Sequence, residues 1–241
     1  MDTLLCTETC TVICGDAREV LPTLGKESID CIATDPPYGV DWQSNTRKTK
    51  FCRIEGDATV TQASGLLAAV TPELVRVLRR TRHIYTFGLA LSHPLLPVKA
   101  DLIWDKGRMG SGDLSCPWGP SHEPIFFHVR AADKTNADKG AGGLTARLRR
   151  GSIIRVKRLS AMQVKRHPTE KPVELMQHLV ESSSLRGEVI LDPFAGSGST
   201  GVAAVLTGRR CILVERDPAY AALCVERLVR AEALIAQTGA F

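Results

Sequence analysis

Short apolar runs separated by stretches of helical periodicity recur almost from end to end of this chain. That alternation leaves few architectures besides an α/β fold built on a largely parallel sheet. Thr11 to Cys14, Ile29 to Thr34, Ile84 to Phe87, Asp101 to Trp104 and Ile125 to Val129 read as strands, with a short helix around Arg18 to Leu24. Leu66, Leu67, Val70, Leu74, Val77 and Leu78 recur at helical spacing, which predicts a helix over Val60 to Arg80 divided at Pro72. A further helix starts near Pro172, since proline is favoured at the first helical position, and runs through Leu175 and Leu179. The last 55 residues form a β-α-β-α unit. Its parts are a strand at Glu188 to Asp192, a glycine turn, a helix to Leu206, a strand at Arg210 to Glu215, and a final helix capped by Asp217 ahead of Pro218.

The 241 residues suffice for one large domain with a sizeable core. Hydrophobic residues at 44% and charged residues at 24% exclude disorder, collagen and coiled coil as descriptions of the whole chain. No apolar run approaches the ~18 residues of a membrane span, and Met1 to Thr11 lacks the flank and apolar stretch of a signal peptide. A cytoplasmic location is expected. The eight cysteines contain no C-x-x-C pair and the six histidines no H-E-x-x-H spacing, so neither a disulfide nor a metal site is expected.

Charge is distributed unevenly. Between Arg130 and Lys171 twelve Lys and Arg stand against three Asp and Glu, a surplus of nine, so the remainder carries −4 of the net +5. This basic, weakly periodic stretch reads as an insert or long loop over residues 130–166 rather than sheet, set in a core of residues 1–129 and 167–241. A basic segment on a mildly acidic body fits a polyanionic partner; a solvated loop is the plainer reading.

Two motifs carry chemistry. Asp192-Pro-Phe-Ala-Gly-Ser-Gly-Ser-Thr-Gly201 follows a strand and opens a helix, where glycines admit a ligand close to the backbone and free N–H groups point outward. Glu215 ends the next strand seventeen residues after Gly198, where an acid can accept from ribose hydroxyls. Three readings compete: a dinucleotide site, a structural turn, and a nucleoside cofactor with its ribose on Glu215. Gly196, Gly198 and Gly201 satisfy G-x-G-x-x-G, but the four residues between strand and first glycine weigh against the dinucleotide.

The second motif is Asp35-Pro36-Pro37-Tyr38 at the end of a strand. Two prolines stiffen the loop and remove two donors, leaving carbonyls available. Asp35 and the Pro36 carbonyl can each accept one N–H of an exocyclic amino group while Tyr38 stacks on its ring. Alternatively, the prolines merely end the strand and Tyr38 caps the core. The full tetrad in one chain with the glycine turn favours the chemical reading.

Together these residues resemble the S-adenosylmethionine-dependent amino-group DNA methyltransferases, in the circularly permuted group whose tetrad precedes the cofactor turn. Gly15-Asp16, Ser121-His122-Glu123 and His167-Pro-Thr-Glu-Lys-Pro172 extend the resemblance over most of the chain. It implies a Rossmann-like seven-stranded sheet, circularly permuted, with the basic insert as target-recognition region. It also implies a site at the carboxyl ends of the strands. Asp35, Pro36, Pro37 and Tyr38 would be catalytic. Asp16 and Ala17 would meet the adenine, and Glu215 and Arg216 the ribose. Asp192, Phe194, Ala195, Gly196, Gly198, Ser199 and Thr200 would surround the methionine portion beside Asp35, with Thr169 and Lys171 near its carboxylate. Arg147, Arg149, Arg150, Arg155, Lys157 and Arg158 are expected to contact phosphates of double-stranded DNA.

Asp at the first tetrad position favours N6 of adenine as the target, with N4 of cytosine as the alternative. More remote alternatives are a nucleic-acid-binding protein that has lost catalysis, methylation of RNA or protein, and an NAD-dependent oxidoreductase. A homodimer and a cognate restriction endonuclease complete the expected partners, and no metal or membrane is implied.

Overall fold

The computed structural model describes residues 1–39, 59–107, 115–131, 150–159 and 170–238. Among these residues nine strands form one sheet: β1 (Asp2–Cys6), β2 (Cys10–Cys14), β3 (Ile29–Thr34), β4 (Leu78–Phe87), β5 (Val98–Asp105), β6 (His122–Val129), β7 (Ile153–Arg155), β8 (Val189–Asp192) and β9 (Arg210–Glu215). Their spatial order is β1-β2-β9-β8-β3-β4-β6-β5-β7. The central run from β2 through β9, β8 and β3 to β4 is parallel, whereas β1, β6 and β5 enter by antiparallel pairings.

Five helices cover the two faces: α1 (Ala17–Val20, continued by a 3₁₀ turn to Thr23), α2 (Val60–Val77), α3 (Val173–Ser183), α4 (Ser199–Leu206) and α5 (Pro218–Thr238). The central strands alternate their side chains between two cores. Cys31, Ala33, Ile190, Cys211 and Leu213 face Leu175, Leu179, Ala203 and Leu228 of α3, α4 and α5. Ile32, Leu191 and Val214 face Val20, Leu67 and Leu74 of α1 and α2. Burial on both faces explains why β3, β8 and β9 are near-continuous apolar runs in sequence. Among the described residues no helix is long and apolar enough to cross a membrane.

Three expectations are corrected. The sheet has nine strands rather than seven: β1 is an edge strand with little buried surface, and β7 lies inside residues 130–166, a stretch whose composition reads as loop. β7 is only three residues long, with Ile154 alone partly buried, so it leaves no periodic signal in sequence. Pro72 does not divide α2. The Thr71 hydroxyl donates to the Leu67 carbonyl at 2.6 Å, and buried Leu74, Val75 and Val77 hold the second half on the sheet. Finally, α2 ends at Val77 and the chain passes directly into β4, because the extended backbone carries Arg79 and Arg80 to Asp30 and Glu27.

Asp30 ties three strands together. Its buried carboxylate accepts from the Val189 N–H of β8 at 2.9 Å and from Arg79 of β4 at 2.8 Å, with Arg82 at 3.6 Å. Asp30→Ala leaves a buried N–H without its acceptor and is expected to lower stability by about 1–3 kcal/mol. Urea unfolding checks this: the midpoint should fall with an unchanged slope, and an unchanged midpoint would contradict the role.

Candidate active site

The carboxyl ends of β2, β9, β8, β3 and β4 lie side by side, so residues leaving those strands are gathered on one edge although they are far apart in sequence. In that order the edge carries Asp16, Glu215, Asp192, Asp35 and Gly88. Glu123 joins them because antiparallel β6 begins where β4 ends.

The glycine turn is built around two carboxylates. Asp192, buried at the end of β8, accepts from the Thr34 hydroxyl at 2.8 Å, the Phe194 N–H at 3.1 Å and the Thr200 hydroxyl at 2.6 Å. It therefore joins the end of β3, the turn and the first turn of α4. Glu215 accepts from the Gly196 N–H at 2.7 Å and the Asp217 N–H at 2.8 Å. Gly198 caps α4 at φ +77°, and a Cβ there would lie 3.0 Å from Cys224 Sγ and 3.2 Å from its Cα. The turn can lie against α5 only because position 198 has no side chain. Burial pushes Asp192 up to about 6 and Glu215 up to about 7, with the hydrogen bonds opposing that rise. Among the described residues no basic side chain pairs with either.

The tetrad sits in a second charged cluster. Lys171, nearly buried just before α3, places its ammonium 2.7 Å from Asp35 Oδ2 and 2.9 Å from Glu123 Oε1. It also faces the rings of Phe87 at 4.8 Å, Tyr38 at 5.9 Å and Trp104 at 6.0 Å. The Tyr38 hydroxyl donates to Asp35 Oδ1, and Lys106 lies 3.0 Å from Glu123 Oε2. Burial pushes Asp35 up, opposed by Lys171 and reinforced by Glu123. Burial would lower Lys171, but the two carboxylates outweigh it and hold the ammonium above the ordinary lysine value. Burial likewise opposes Glu123, which Lys171 and Lys106 bring below the ordinary glutamate value.

Between turn and tetrad lies a cleft, open to solvent and lined by Asp35, Glu170, Lys171, Met176, Asp192, Phe194, Ala195, Gly196, Ser197, Ser199 and Thr200. Most of the expected site residues thus meet in one place. Asp16 stands at the Glu215 end, capping α1 through the Arg18 N–H at 2.9 Å, with the exposed Arg216 at 3.7 Å and Ala17 buried behind it. Thr200 spends its hydroxyl on Asp192, which makes it part of the scaffold of the turn. The Lys171 ammonium points to Asp35 and Glu123. Thr169, Arg147 and Arg149 lie outside the described residues.

The basic residues separate. Arg155, Lys157 and Arg158 are exposed at the end of β7, on the same edge as the cleft, and the Arg158 N–H reaches the Lys106 carbonyl at 3.4 Å. Arg150 turns away to pair with Glu181 of α3 at 2.7 Å.

Sequence reading missed the weight of Glu123 and Lys106, and of Arg227, which bonds the Ser197 carbonyl at 2.7 Å and Glu170 at 3.1 Å. For Glu123 one signal exists: a charged residue opening the apolar run Glu-Pro-Ile-Phe-Phe.

Asp192 in the cleft lining and the half-buried Glu215 behind the glycine turn, neither with a basic partner among the described residues, fit a ligand that brings hydroxyl donors and positive charge, as S-adenosylmethionine does with its ribose, sulfonium and ammonium groups. A family profile described as DNA methylase, for N6 and N4 enzymes, matches residues 29–226. The DNA adenine methyltransferase YhdJ of Escherichia coli K12 is 27% identical over 252 residues, spanning 90% of this chain and 82% of that protein. A DNA modification methylase from Thermus thermophilus, solved with S-adenosyl-L-methionine, is 25% identical with a TM-score of 0.61, covering 91% of this chain and 94% of that one. The cytosine-N4-specific PvuII DNA methyltransferase, 14% identical, shares the fold with a TM-score of 0.66 over 91% of this chain and 86% of its own.

Glu215 yields a test without ligand. Its folded value of about 7 lies above an ordinary 4.5, so the folded form holds the proton more tightly than the unfolded chain does. The resulting stability is present below the ordinary value and lost as pH rises through about 7. Urea midpoints should fall between about pH 5 and about pH 8 in the wild type and fall less in Glu215→Gln. Equal losses would show that Glu215 ionises normally.

Proposed function

The chain belongs to the DNA methylase family of N6 and N4 amino-group enzymes, and we propose that it methylates the exocyclic N6 of adenine in double-stranded DNA. Its cofactor is S-adenosylmethionine. The observation that carries the reading is the placement of Asp35 at the mouth of a cleft whose floor is Asp192 and the Gly196 turn. Within the family we assign the chain to the circularly permuted group, because its tetrad at 35–38 precedes the turn at 192–201. Residues 130–166 serve as the target-recognition insert in a core of 1–129 and 167–241.

Bound in the cleft, the cofactor supplies an electrophilic methyl group on a sulfonium. A base buried in a duplex cannot reach it, so the target nucleotide is flipped out at a cost of a few kcal/mol and held against Tyr38. Asp35 and the Pro36 carbonyl accept the two amino N–H groups, which turns the nitrogen lone pair out of conjugation and toward the methyl. After transfer the nitrogen carries a surplus proton, and Asp35 takes it. Burial, which raises its affinity for protons, suits Asp35 to that step. Pro37 keeps the loop stiff.

At the other end of the cleft Asp16, with Ala17 behind it, receives the adenine, and Glu215, beside Arg216, the ribose. Thr169 and Lys171 border the amino-acid end. Support for adenine over cytosine comes from Asp at the first tetrad position and from the YhdJ relative. The reading extends to a cytoplasmic setting, a second copy of the chain to help cover the duplex, and a cognate restriction endonuclease.

Nucleoside mass spectrometry of DNA incubated with the protein and methyl-labelled cofactor should show N6-methyladenine, and N4-methylcytosine alone would refute the choice of base. Asp35→Ala should reduce methyl transfer by about 100-fold or more, since one acceptor that orients the amino group is lost. Wild-type turnover in that variant would refute its catalytic role. Neutralising Lys157 and Arg158 should reduce the salt slope of DNA binding by about 0.9 per lost phosphate contact. Arg150→Gln should leave the slope unchanged, and a lowered slope there would show that Arg150 leaves Glu181 to bind DNA.

A further inference from the structure

The Tyr38 hydroxyl has one proton and two carboxylates within reach. It donates to Asp35 Oδ1, and Glu123 Oε1 lies 3.1 Å away. Asp35 is engaged at both oxygens in this arrangement, by Tyr38 at Oδ1 and by Lys171 at Oδ2. A carboxylate already accepting a hydroxyl proton is a weaker acceptor for the N–H of an incoming amino group.

Glu123 is held so that it can relieve Asp35 of that proton. Lys106, from the residue after β5, takes Oε2 at 3.0 Å, which leaves Oε1 facing Lys171 at 2.9 Å and the Tyr38 hydroxyl. The tyrosine ring is fixed from behind. A Cβ on Gly88 would lie 2.5 Å from its Cε1, so the ring rests directly on the backbone of that residue. The Gly88 N–H is bonded to the Pro124 carbonyl at 3.1 Å, next to Glu123 itself. Ring and acceptor are therefore braced by two neighbouring, hydrogen-bonded stretches of backbone at the end of β4 and the start of β6, and the hydroxyl proton can change partners without movement of either.

We propose that Glu123 is a positioning residue which takes over the Tyr38 hydroxyl bond when a target amino group reaches Asp35, leaving Oδ1 free to orient that group. The proposal rests on the amino-methyltransferase reading and deepens it, assigning the Tyr38 hydroxyl a role apart from the stacking of its ring. Lys171, bonded to both carboxylates throughout, keeps the two negative charges from repelling as the proton moves. Among the described residues the charged and titratable groups facing Glu123 are Asp35 and Tyr38 from the loop after β3, Lys106 just after β5 and Lys171 just before α3.

A double-mutant cycle on single-turnover methyl transfer tests it, using Glu123→Gln, Tyr38→Phe and the pair. Glu123→Gln, whose neutral amide is the weaker acceptor and leaves the hydroxyl on Asp35, should lower the rate of the chemical step by about 10- to 100-fold, with the affinities for cofactor and DNA changed less than about twofold. Tyr38→Phe removes the hydroxyl that competes for Oδ1, so it should stay close to the wild-type rate, and the pair should run at the Tyr38→Phe rate because Glu123 has no bond left to take over. A Glu123→Gln protein as fast as wild type, or a Glu123→Gln loss that persists undiminished in the Tyr38→Phe background, would overturn the proposal. If Glu123→Gln fails to fold, Glu123→Asp, with its shorter reach to the hydroxyl, takes its place in the same cycle. An active wild type with unaffected variants refutes only this role for Glu123, whereas a wild type that methylates no DNA overturns the amino-methyltransferase reading and this role with it.

Discussion

The carboxylate of Asp192 holds the site together. It is buried at the centre of the sheet's carboxyl edge and bonded to Thr34, Phe194 and Thr200, so one side chain sets the end of β3, the course of the glycine turn and the start of α4. The tetrad begins one residue beyond Thr34. Distance between the glycine turn and the tetrad loop is therefore governed by a hydrogen-bonded acid whose partners are all neutral. Burying a carboxylate among neutral donors is costly, and its raised pKa is the mark of that cost.

That cost divides the site into two electrical halves. Asp35 and Glu123 are compensated from within the chain by Lys171 and Lys106, so the tetrad end carries no formal excess charge. Asp192 and Glu215 have no such compensation among the described residues, so the negative charge that develops around the turn as they ionise is left unbalanced. The compensated half suits a neutral amino group that needs orientation more than attraction. The anionic half suits a cation. The two halves meet in one cleft, with the electron-poor methyl expected on one side and the nitrogen that attacks it on the other.

Much of this was legible in the sequence, for reasons that differ by element. The central strands announce themselves as apolar runs because both of their faces are buried, and β3 and β9 begin and end where the pattern places them. Asp217 and Pro218 mark the start of α5 through local capping chemistry, which the Asp217 bond to the Ala219 N–H bears out. Edge strands β1 and β7 escaped, since their side chains are mostly exposed and leave no buried apolar run in sequence. Turn and tetrad residues were readable as motifs because their spacing is local. Glu123 and Lys106 were not, because their importance arises from pairings across sequence: Glu123 meets Lys171, 48 positions on, through the approach to α3, and Lys106, 17 positions back, through the antiparallel pairing of β5 and β6. Arg150 shows the reverse limit: composition cannot distinguish a basic residue facing a polyanion from one folded back onto α3.

The central claim is that Asp192 in the cleft and Glu215 behind its glycine turn are raised carboxylates, uncompensated among the described residues and completed by a cationic, hydroxyl-bearing cofactor. Calorimetry of S-adenosylmethionine binding near pH 7, in two buffers of different ionisation enthalpy, measures the protons exchanged. Glu215 titrates at about 7 in the free protein and is ionised more fully by ribose donors and positive charge, so binding should release up to roughly half a proton and tighten as pH rises. Proton uptake, or affinity that weakens toward alkaline pH, would contradict the account.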